Sequence, residues 1–395
     1  MKTASSSMKN NFMKNDVSVN KCRVCNRIFF EKPLLRYKNM PKVAQYMPDA
    51  ESLESDKGID LEIFQCSGCG LVQITNNPVS YYKEVIRAAA FSEEMKDFRS
   101  KQFINFVQKY SLKGKKVIEI GCGSGEYLSI IKQVGAEAYG LEYSDESVKQ
   151  CIKNGLKVSK GFIQKDTHKL KHAPFAAFFI LNFLEHLPDP NSTLKGIYNN
   201  LTDGGVGIVE VPNFDMIFKK KLFSEFMRDH LSYFTKETLS LALTLNGFEV
   251  IECSELWHEY VLSIIARKRK KLDTSGFSEH KAKFKDEIEK YLRNFKEKRV
   301  AIWGAGHQAL AIISLLDLTE RIKYVVDSAV FKQGKYTPVT HIPIVCPDTL
   351  ISDSVDAVIV MAASYSDEVT RIIRQKYARN MNIAILRDFG LEVLS

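Results

Sequence analysis

No apolar run in these 395 residues reaches the length that a membrane-spanning helix needs, so a helical membrane protein is excluded. The first 20 residues lack the apolar segment of a secretory signal and are rich in Ser, Asn and Lys. They read as a disordered arm, and the chain is expected in the cytoplasm. Aromatics interleaved with basic residues, the mark of an RNA module, are also missing, so the formal charge of +9 does not point to nucleic acid. The basic residues are spread along the chain apart from a cluster at Arg267, Lys268, Arg269, Lys270 and Lys271. That cluster reads as a solvated linker, with attraction to a phosphorylated small substrate as the other use of its charge. Cysteine is sparse, and four of the 8, Cys122, Cys151, Cys253 and Cys346, stand singly as small hydrophobes. The remainder, 45% hydrophobic and 26% charged, suits a globular protein of two or three domains.

The chain is organised around Lys116-Val117-Ile118-Glu119-Ile120-Gly121-Cys122-Gly123-Ser124-Gly125-Glu126, an apolar strand entering a three-glycine turn and then a helix. Gly121, Gly123 and Gly125 allow a tight turn and close backbone approach to a ligand, and the helix start offers free amides. The order E-x-G-x-G-x-G departs from the dinucleotide fingerprint. Glu119 suits an ammonium or ribose hydroxyls better than a pyrophosphate. The next strand ends in Glu142, placed to accept both hydroxyls of a ribose. Together these features predict a binding site for S-adenosylmethionine.

The other four cysteines form two C-x-x-C pairs, Cys22/Cys25 and Cys66/Cys69, separated by 40 residues. Each pair places two sulfurs on one metal, and four thiolates leave no position for water, which predicts a structural zinc site. A redox dithiol would use a single pair at a helix start.

Residues 78–110 carry helical periodicity, with Phe91, Met95, Phe98, Phe103 and Phe106 as core, while Tyr81 and Tyr82 precede the helix within reach of a cleft. From Lys116 to Ala266 strands alternate with amphipathic helices. The buried strand Ala177–Leu181 ends in Asn182-Phe183-Leu184-Glu185-His186, on the edge where open α/β sheets bind ligands. A strand over Val206–Val211 follows the turn Gly204-Gly205, then comes a segment ending His230-Leu231-Ser232-Tyr233-Phe234. Thr235 caps the next helix, and Thr238 in place of Glu or Gln predicts no full capping box. A charged helical linker spans 268–298. Beyond it, Gly304-Ala305-Gly306-His307-Gln308-Ala309 follows a strand as a G-x-G-x-x-A turn, Asp327 ends the next strand, and Ser364 and Tyr365 end a later one. This resembles half of a dinucleotide fold, serving either a nucleotide-sugar or phosphate site with Gly304, Gly306, His307, Asp327 and Tyr365, or a structural turn.

The order of zinc knuckles, E-x-G-x-G-x-G domain, Asp229-His230-Leu231-Ser232-Tyr233-Phe234 segment and C-terminal G-x-G-x-x-A unit resembles the bacterial sugar C-methyltransferases that act on nucleotide-linked 4-keto deoxysugars. The resemblance implies a class I, Rossmann-like methyltransferase core between a small zinc-knuckle domain and a C-terminal Rossmann-like α/β domain. The expected boundaries are a disordered arm at 1–20, the zinc domain at 21–78, a helical connector at 79–115, the cofactor domain at 116–267, the linker at 268–298 and a nucleotide-sugar-anchoring domain at 299–395. The family's N-x-L-x-H matches Asn182 and His186, which implies that both line the sugar pocket, with Asn182 also near the cofactor. Its Y-H-E-H-L-S-Y-F matches residues 227–234, which makes His230 the base, lets Asp229 stand for the glutamate, and places Tyr233 near substrate. Met227 and Arg228 replace the family's tyrosine and first histidine.

The implied chemistry has its own logic. A carbon becomes nucleophilic only when its proton is removed, and a neighbouring ketone makes that proton acidic enough for a histidine. The enolate oxygen then needs a donor, for which Arg228, Asn182 and His186 are the candidates. An O- or N-methyltransferase on the same scaffold, or a cofactor-binding scaffold without turnover, are the alternatives.

Overall fold

Alternation of apolar runs with amphipathic segments after Lys116 builds a parallel sheet covered by helices on both faces. The computed structural model describes residues 20–45, 47–84, 92–377 and 381–394, and the chain falls into two compact units, Met1–Lys270 and Lys271–Ser395. Phe91 and the expected N-terminal arm before Asn20 lie outside the described residues.

In the first unit, strands Leu35–Met40 (β1), Ile59–Gln65 (β2) and Val72–Ile74 (β3) precede helix Glu93–Lys109 (α1). The expected helix from 78 is therefore shorter: Ser92 caps it, accepting from the Met95 amide, and residues 80–83 form turns. Then come Lys116–Ile120 (β4), Glu126–Gln133 (α2), Glu137–Glu142 (β5), Asp145–Lys153 (α3), Lys157–Lys160 (β6), Phe175–Leu181 (β7) and Pro190–Asn199 (α4). Leu201–Pro212 (β8), Phe214–Lys220 (α5), Ser232–Tyr233 (β9), Lys236–Leu245 (α6), Phe248–Leu256 (β10) and Val261–Lys268 (β11) complete the unit.

The large sheet runs β10-β11-β8-β7-β4-β5-β6. β6, β5, β4, β7 and β8 are parallel, and β11 is antiparallel to both of its neighbours. The chain winds outward from β4 to β6 and then crosses back to β7, so the topological switch, where such sheets bind ligands, lies between the carboxyl ends of β4 and β7. α1 buries Arg99, Phe103, Phe106 and Val107, one face of a helix, and Phe103 and Phe106 meet Phe179 of β7 edge to face.

Three expectations are corrected here. β8 begins at Leu201, so Gly204-Gly205 lies within the strand and not in a turn before it. The capping box at α6 is complete, because the Thr238 hydroxyl accepts from the Thr235 amide at 2.9 Å while Thr235 Oγ1 accepts from the Thr238 amide at 3.2 Å. A hydroxyl reaches as well as a carboxylate here. The basic cluster is not all linker, since Arg267 and Lys268 belong to β11 and Lys268 donates to the Leu201 carbonyl.

The zinc-knuckle region is not a free-standing domain. Its sheet runs β1-β2-β3-β9, so a strand from the Asp229–Phe234 segment is its fourth member, pairing Val72 with Tyr233 and Gln73 with Ser232. Cys22, Val24, Cys66 and Leu71 share one apolar core with Leu184, Leu187 and Phe234.

The second unit opens with helix Ser275–Leu292 (α7), part of the stretch expected as a linker. Phe284, Ile288, Tyr291 and Leu292 of α7 are buried in that unit's own core, which makes the helix a structural member. Val300–Trp303 (β12), His307–Leu315 (α8), Ile322–Val326 (β13), Ile344–Val345 (β14), Thr349–Ser352 (α9), Ala357–Val360 (β15), Ser366–Ile372 (α10), Asn382–Leu386 (β16) and Leu391–Leu394 (β17) follow. The sheet order is β14-β13-β12-β15-β16-β17, parallel except for β17. Among the described residues no helix is long and apolar enough to cross a membrane.

Candidate active site

The glycine turn after β4 adopts left-handed backbone at Gly121, Gly123 and Gly125, with φ of 69°, 55° and 89°. A Cβ on Gly125 would also lie 2.4 Å from Leu156 Cδ1, so only glycine fits there. Glu119 is buried at the end of β4. Glu142, at the end of β5, accepts the Gly123 amide at 2.8 Å on one oxygen and the amides of Tyr143 and Ser144 at 2.8 and 2.9 Å on the other. The second acid thus fixes the shape of the glycine turn.

A cleft of about 600 Å³ opens at the carboxyl end of β7. Six of the expected residues line it: Tyr81, Tyr82, Asn182, His186, Asp229 and His230. Asn182 sits at φ 49°, a left-handed conformation that asparagine tolerates, and its amide donates to the Glu210 carbonyl at 2.9 Å. The single turn Leu184–His186 then carries Glu185 and His186 into the wall.

Two crossings pin this wall to the Asp229–His230 segment. The Leu231 amide donates to the Glu185 carbonyl at 2.9 Å, and the Ile74 amide donates to the Leu231 carbonyl at 3.1 Å. His186 Nδ1 lies 2.7 Å from the Asp229 carbonyl, a bond that requires the proton on Nδ1 and leaves Nε2 bare. The rings of His186 and His230 meet edge to face at 4.8 Å. The Tyr81 hydroxyl donates to Asp229 Oδ1 at 2.7 Å and accepts from the Ala44 amide at 3.1 Å.

Burial sets the protonation states. It lowers His230 to about 3, with the neighbouring His186 adding repulsion, and it lowers His186 as well. It raises Glu185 to about 8, which keeps that carboxyl protonated at neutral pH, 3.7 Å from His186 Nε2. Tyr81 is pushed up to about 12 by burial and by Asp229.

Two expected residues stand behind the wall. Arg228 Nε donates to the Asn77 carbonyl at 2.9 Å and the side chain does not line the cleft, so the expected oxyanion donor points elsewhere. Tyr233 is buried, and its hydroxyl takes the Met227 amide at 3.0 Å, which knots the segment from inside. Met227 itself faces the cleft. Residues that no motif announced also line it: Arg99, Glu185, Tyr127, Trp257 and Tyr260. Glu185 lay within the quoted Asn182–His186 stretch. Trp257 and Tyr260 come from the β10–β11 turn, whose left-handed Trp257, His258 and Glu259 have no glycine to signal them.

A methyltransferase-domain family matches residues 91–253, and a family described as a C-methyltransferase C-terminal domain matches residues 266–385. The chain is an S-adenosylmethionine-dependent methyltransferase. This methyltransferase is 21% identical to the C-methyltransferase NovU of Streptomyces niveus over 384 residues, 89% of this chain and 91% of that one. It is 26% identical over 175 residues to the ubiquinone biosynthesis O-methyltransferase of an Azoarcus species, covering 40% of this chain and 74% of that one. A solved S-adenosylmethionine-dependent methyltransferase of Clostridium acetobutylicum superposes with a TM-score of 0.37 at 11% identity, over 44% of this chain and 92% of that one.

The methyltransferase holds its four N-terminal cysteines as a cluster. Sγ atoms of Cys22 and Cys69 are 3.6 Å apart, those of Cys25 and Cys66 are 3.3 Å apart, and all four lie within 4.8 Å of one another. Tetrahedral zinc with bonds of about 2.3 Å asks for sulfurs about 3.8 Å apart, so the donor set fits. Amides of Val24, Gly68 and Cys69 point at Cys22 and Cys66 sulfurs, as thiolates require.

In the second unit of the methyltransferase, Gly304 has φ 115° and a Cβ there would meet the Met361 carbonyl at 2.6 Å, which explains the glycine by strand contact. Gly306 caps α8 and His307 begins it, both exposed, as is Tyr365. Asp327 accepts the amides of Ala305 and Ala329 and the Lys332 ammonium. The Asp327 carboxylate, expected in a nucleotide-sugar or phosphate site, shapes its own turn through these contacts.

Proposed function

We propose that this methyltransferase adds a methyl group to carbon in a nucleotide-linked 4-keto deoxysugar. The observation that carries the reading is the pairing of His186 and His230 in one cleft beside Asn182, with Tyr81 fastened to Asp229. The match to a C-methyltransferase C-terminal domain family and the similarity to NovU support carbon as the acceptor.

His230 takes the proton from the carbon beside the ketone. Burial keeps this histidine neutral, and so a base, at every working pH. The same burial makes it a weak base, which suits a proton already acidified by a ketone and little else. Asn182, at the strand end, offers its side-chain NH2 to the enolate oxygen in place of Arg228. Bound S-adenosylmethionine supplies an electrophilic methyl on a sulfonium. His230 would then release its proton to solvent. Glu119, the glycine turn and Glu142 hold the cofactor, and Tyr82 walls the sugar pocket. The Cys22/Cys25/Cys66/Cys69 cluster holds a structural zinc, which suits a reducing, cytoplasmic setting.

The test is proton NMR in deuterated water with a panel of nucleotide-linked 4-keto-6-deoxyhexoses. Enzyme-dependent loss of the signal beside the ketone, followed by a carbon-bound methyl once S-adenosylmethionine is added, is the expected result. No exchange and no methyl across the panel overturns it. A second reading, O-methylation, is favoured by the bare Nε2 of His186, which can accept a hydroxyl proton directly. The chemical shift of the new methyl carbon separates the two.

A further inference from the structure

We propose that Glu185, His186 and His230 form a second metal site, apart from the cysteine cluster, which takes a divalent transition ion of the zinc class and stops methyl transfer while it is occupied. The binding rests on geometry alone, and the stopping rests on His230 being the base.

The three side chains bring one ligand atom each to within 4.8 Å of one another. His186 already has the arrangement of a metal-bound histidine: Nδ1 gives its proton to the Asp229 carbonyl at 2.7 Å, which fixes the ring and leaves Nε2 bare on the side of Glu185. Glu185 Oε1 lies 3.7 Å from that nitrogen, too far for a hydrogen bond. Nitrogen and oxygen donors bound tetrahedrally at about 2.0–2.1 Å stand about 3.3–3.4 Å apart, so a small shift lets one ion bridge the two. Glu185 is only 1% exposed, and its Oε2 has no hydrogen-bond partner. An unpaired buried carboxyl oxygen is costly, and a bound cation satisfies that carboxyl.

The frame is preformed. The Leu231 amide on the Glu185 carbonyl and the His186 ring on the Asp229 carbonyl lock the turn carrying two ligands against the segment carrying the third. The ring centroids of His186 and His230 are 4.8 Å apart, and two imidazoles on one tetrahedral ion have theirs about 5 Å apart.

Charge favours a cation in this wall. Among the described residues lining the cleft, Arg99 is the only arginine or lysine and Glu210 neutralises it, whereas Glu84, Glu185, Glu225 and Asp229 are acidic. The donor set then selects the ion. Two imidazoles and one carboxylate suit Zn2+, Co2+ or Ni2+, while Mg2+ and Ca2+ ask for shells of oxygen. Three ligands, one of them a carboxyl that must first give up its proton, hold metal more weakly than four thiolates, so this site fills only once the cysteine cluster is satisfied. An ion here engages the lone pair with which His230 takes the substrate proton.

The experiment is a Co2+ titration of the full chain, first supplied with one equivalent of Zn2+ for the cysteine cluster. Co2+ should bind as one further equivalent with visible ligand-field bands and no near-ultraviolet sulfur-to-cobalt charge transfer, and Zn2+ but not Mg2+ should displace it. His186→Ala and Glu185→Gln should each weaken that equivalent by about a hundredfold or more while S-adenosylmethionine still binds. Methyl transfer should fall in step with Co2+ occupancy and return when a chelator removes the ion. No further equivalent in wild type, or one whose only signature is sulfur charge transfer, overturns the site, and neither result needs a variant to fold. A further equivalent that both variants keep also overturns it. Full turnover at saturating Co2+ overturns the blockade and with it His230 as the base. Because cobalt binding is read without substrate, a failure of the carbon-methylation reading shows separately.

Discussion

At the residue scale the site is governed by where burial has pushed protons. Glu185 ionises near 8 in the folded protein and near 4.5 when unfolded, so the folded state holds its proton more tightly. Stability should therefore fall as pH rises from about 4.5 through 8 and then level off. Glu185→Gln mimics the protonated form, so its melting temperature should gain on wild type as pH rises to about 9; parallel melting curves for the two proteins would refute the assignment. His230 behaves in the opposite sense, since its proton is lost on folding and stability should also decline as pH falls below about 6.5. Because neutral His230 persists well below that, methyl transfer should show no acid limb near 6.5, where an ordinary histidine base would produce one. His230→Ala should cost about a hundredfold or more in turnover and leave S-adenosylmethionine affinity intact. Full activity in that variant would remove His230 from the chemistry. These residues were legible because each sits in a fixed local spacing: Glu119 with its glycines, Asn182 with His186, His230 with Leu231–Phe234. The Arg99–Glu210 pair was not, since 111 positions separate its members and neither belongs to a motif.

At the scale of elements, the segment that carries Asp229 and His230 is held from both sides. β9 completes the sheet begun by β1, and the Tyr233 hydroxyl closes a loop onto the Met227 amide within the same segment. Tyr233→Phe leaves that buried amide without its acceptor, at a cost of about 1–3 kcal/mol. The expected result is a lower melting temperature and reduced turnover with unchanged cofactor affinity, because the glycine turn lies on another element. Reduced cofactor affinity would mean that the segment supports the cofactor as well. The alternation of strands and helices from β4 to β8 was readable from apolar periodicity. The pairing of β3 with β9 was not, because two residues, Ser232 and Tyr233, carry no strand period and acquire one only when Gln73 and Val72 lie beside them. The same reason explains α7: its surface is charged, and the stripe Phe284, Ile288, Tyr291, Leu292 becomes visible as a core face only against the second unit's sheet.

At the scale of the molecule, the cysteine cluster is tied to the active site by short connections. Asn191, at the start of α4, donates to the carbonyls of Arg23 and Val24, and Arg23 donates to the Pro188 carbonyl just beyond His186. Cys22 and Cys66 belong to the core that includes Leu184 and Leu187 on either side of Glu185 and His186. If the proposed zinc holds this cluster, its removal should free the first knuckle and then the turn that carries His186, and methyl transfer should be lost before the large sheet melts. The second unit has apolar clusters of its own on both faces of its sheet. Wild-type protein should carry about one zinc per chain by elemental analysis. Chelation should abolish turnover and lower the unfolding temperature of the first unit, while exchange protection of backbone amides in β12, β13 and β15 is retained. If chelated protein keeps full activity and the same melting profile, the cluster does not hold the wall of the active site, and the four cysteines need another explanation.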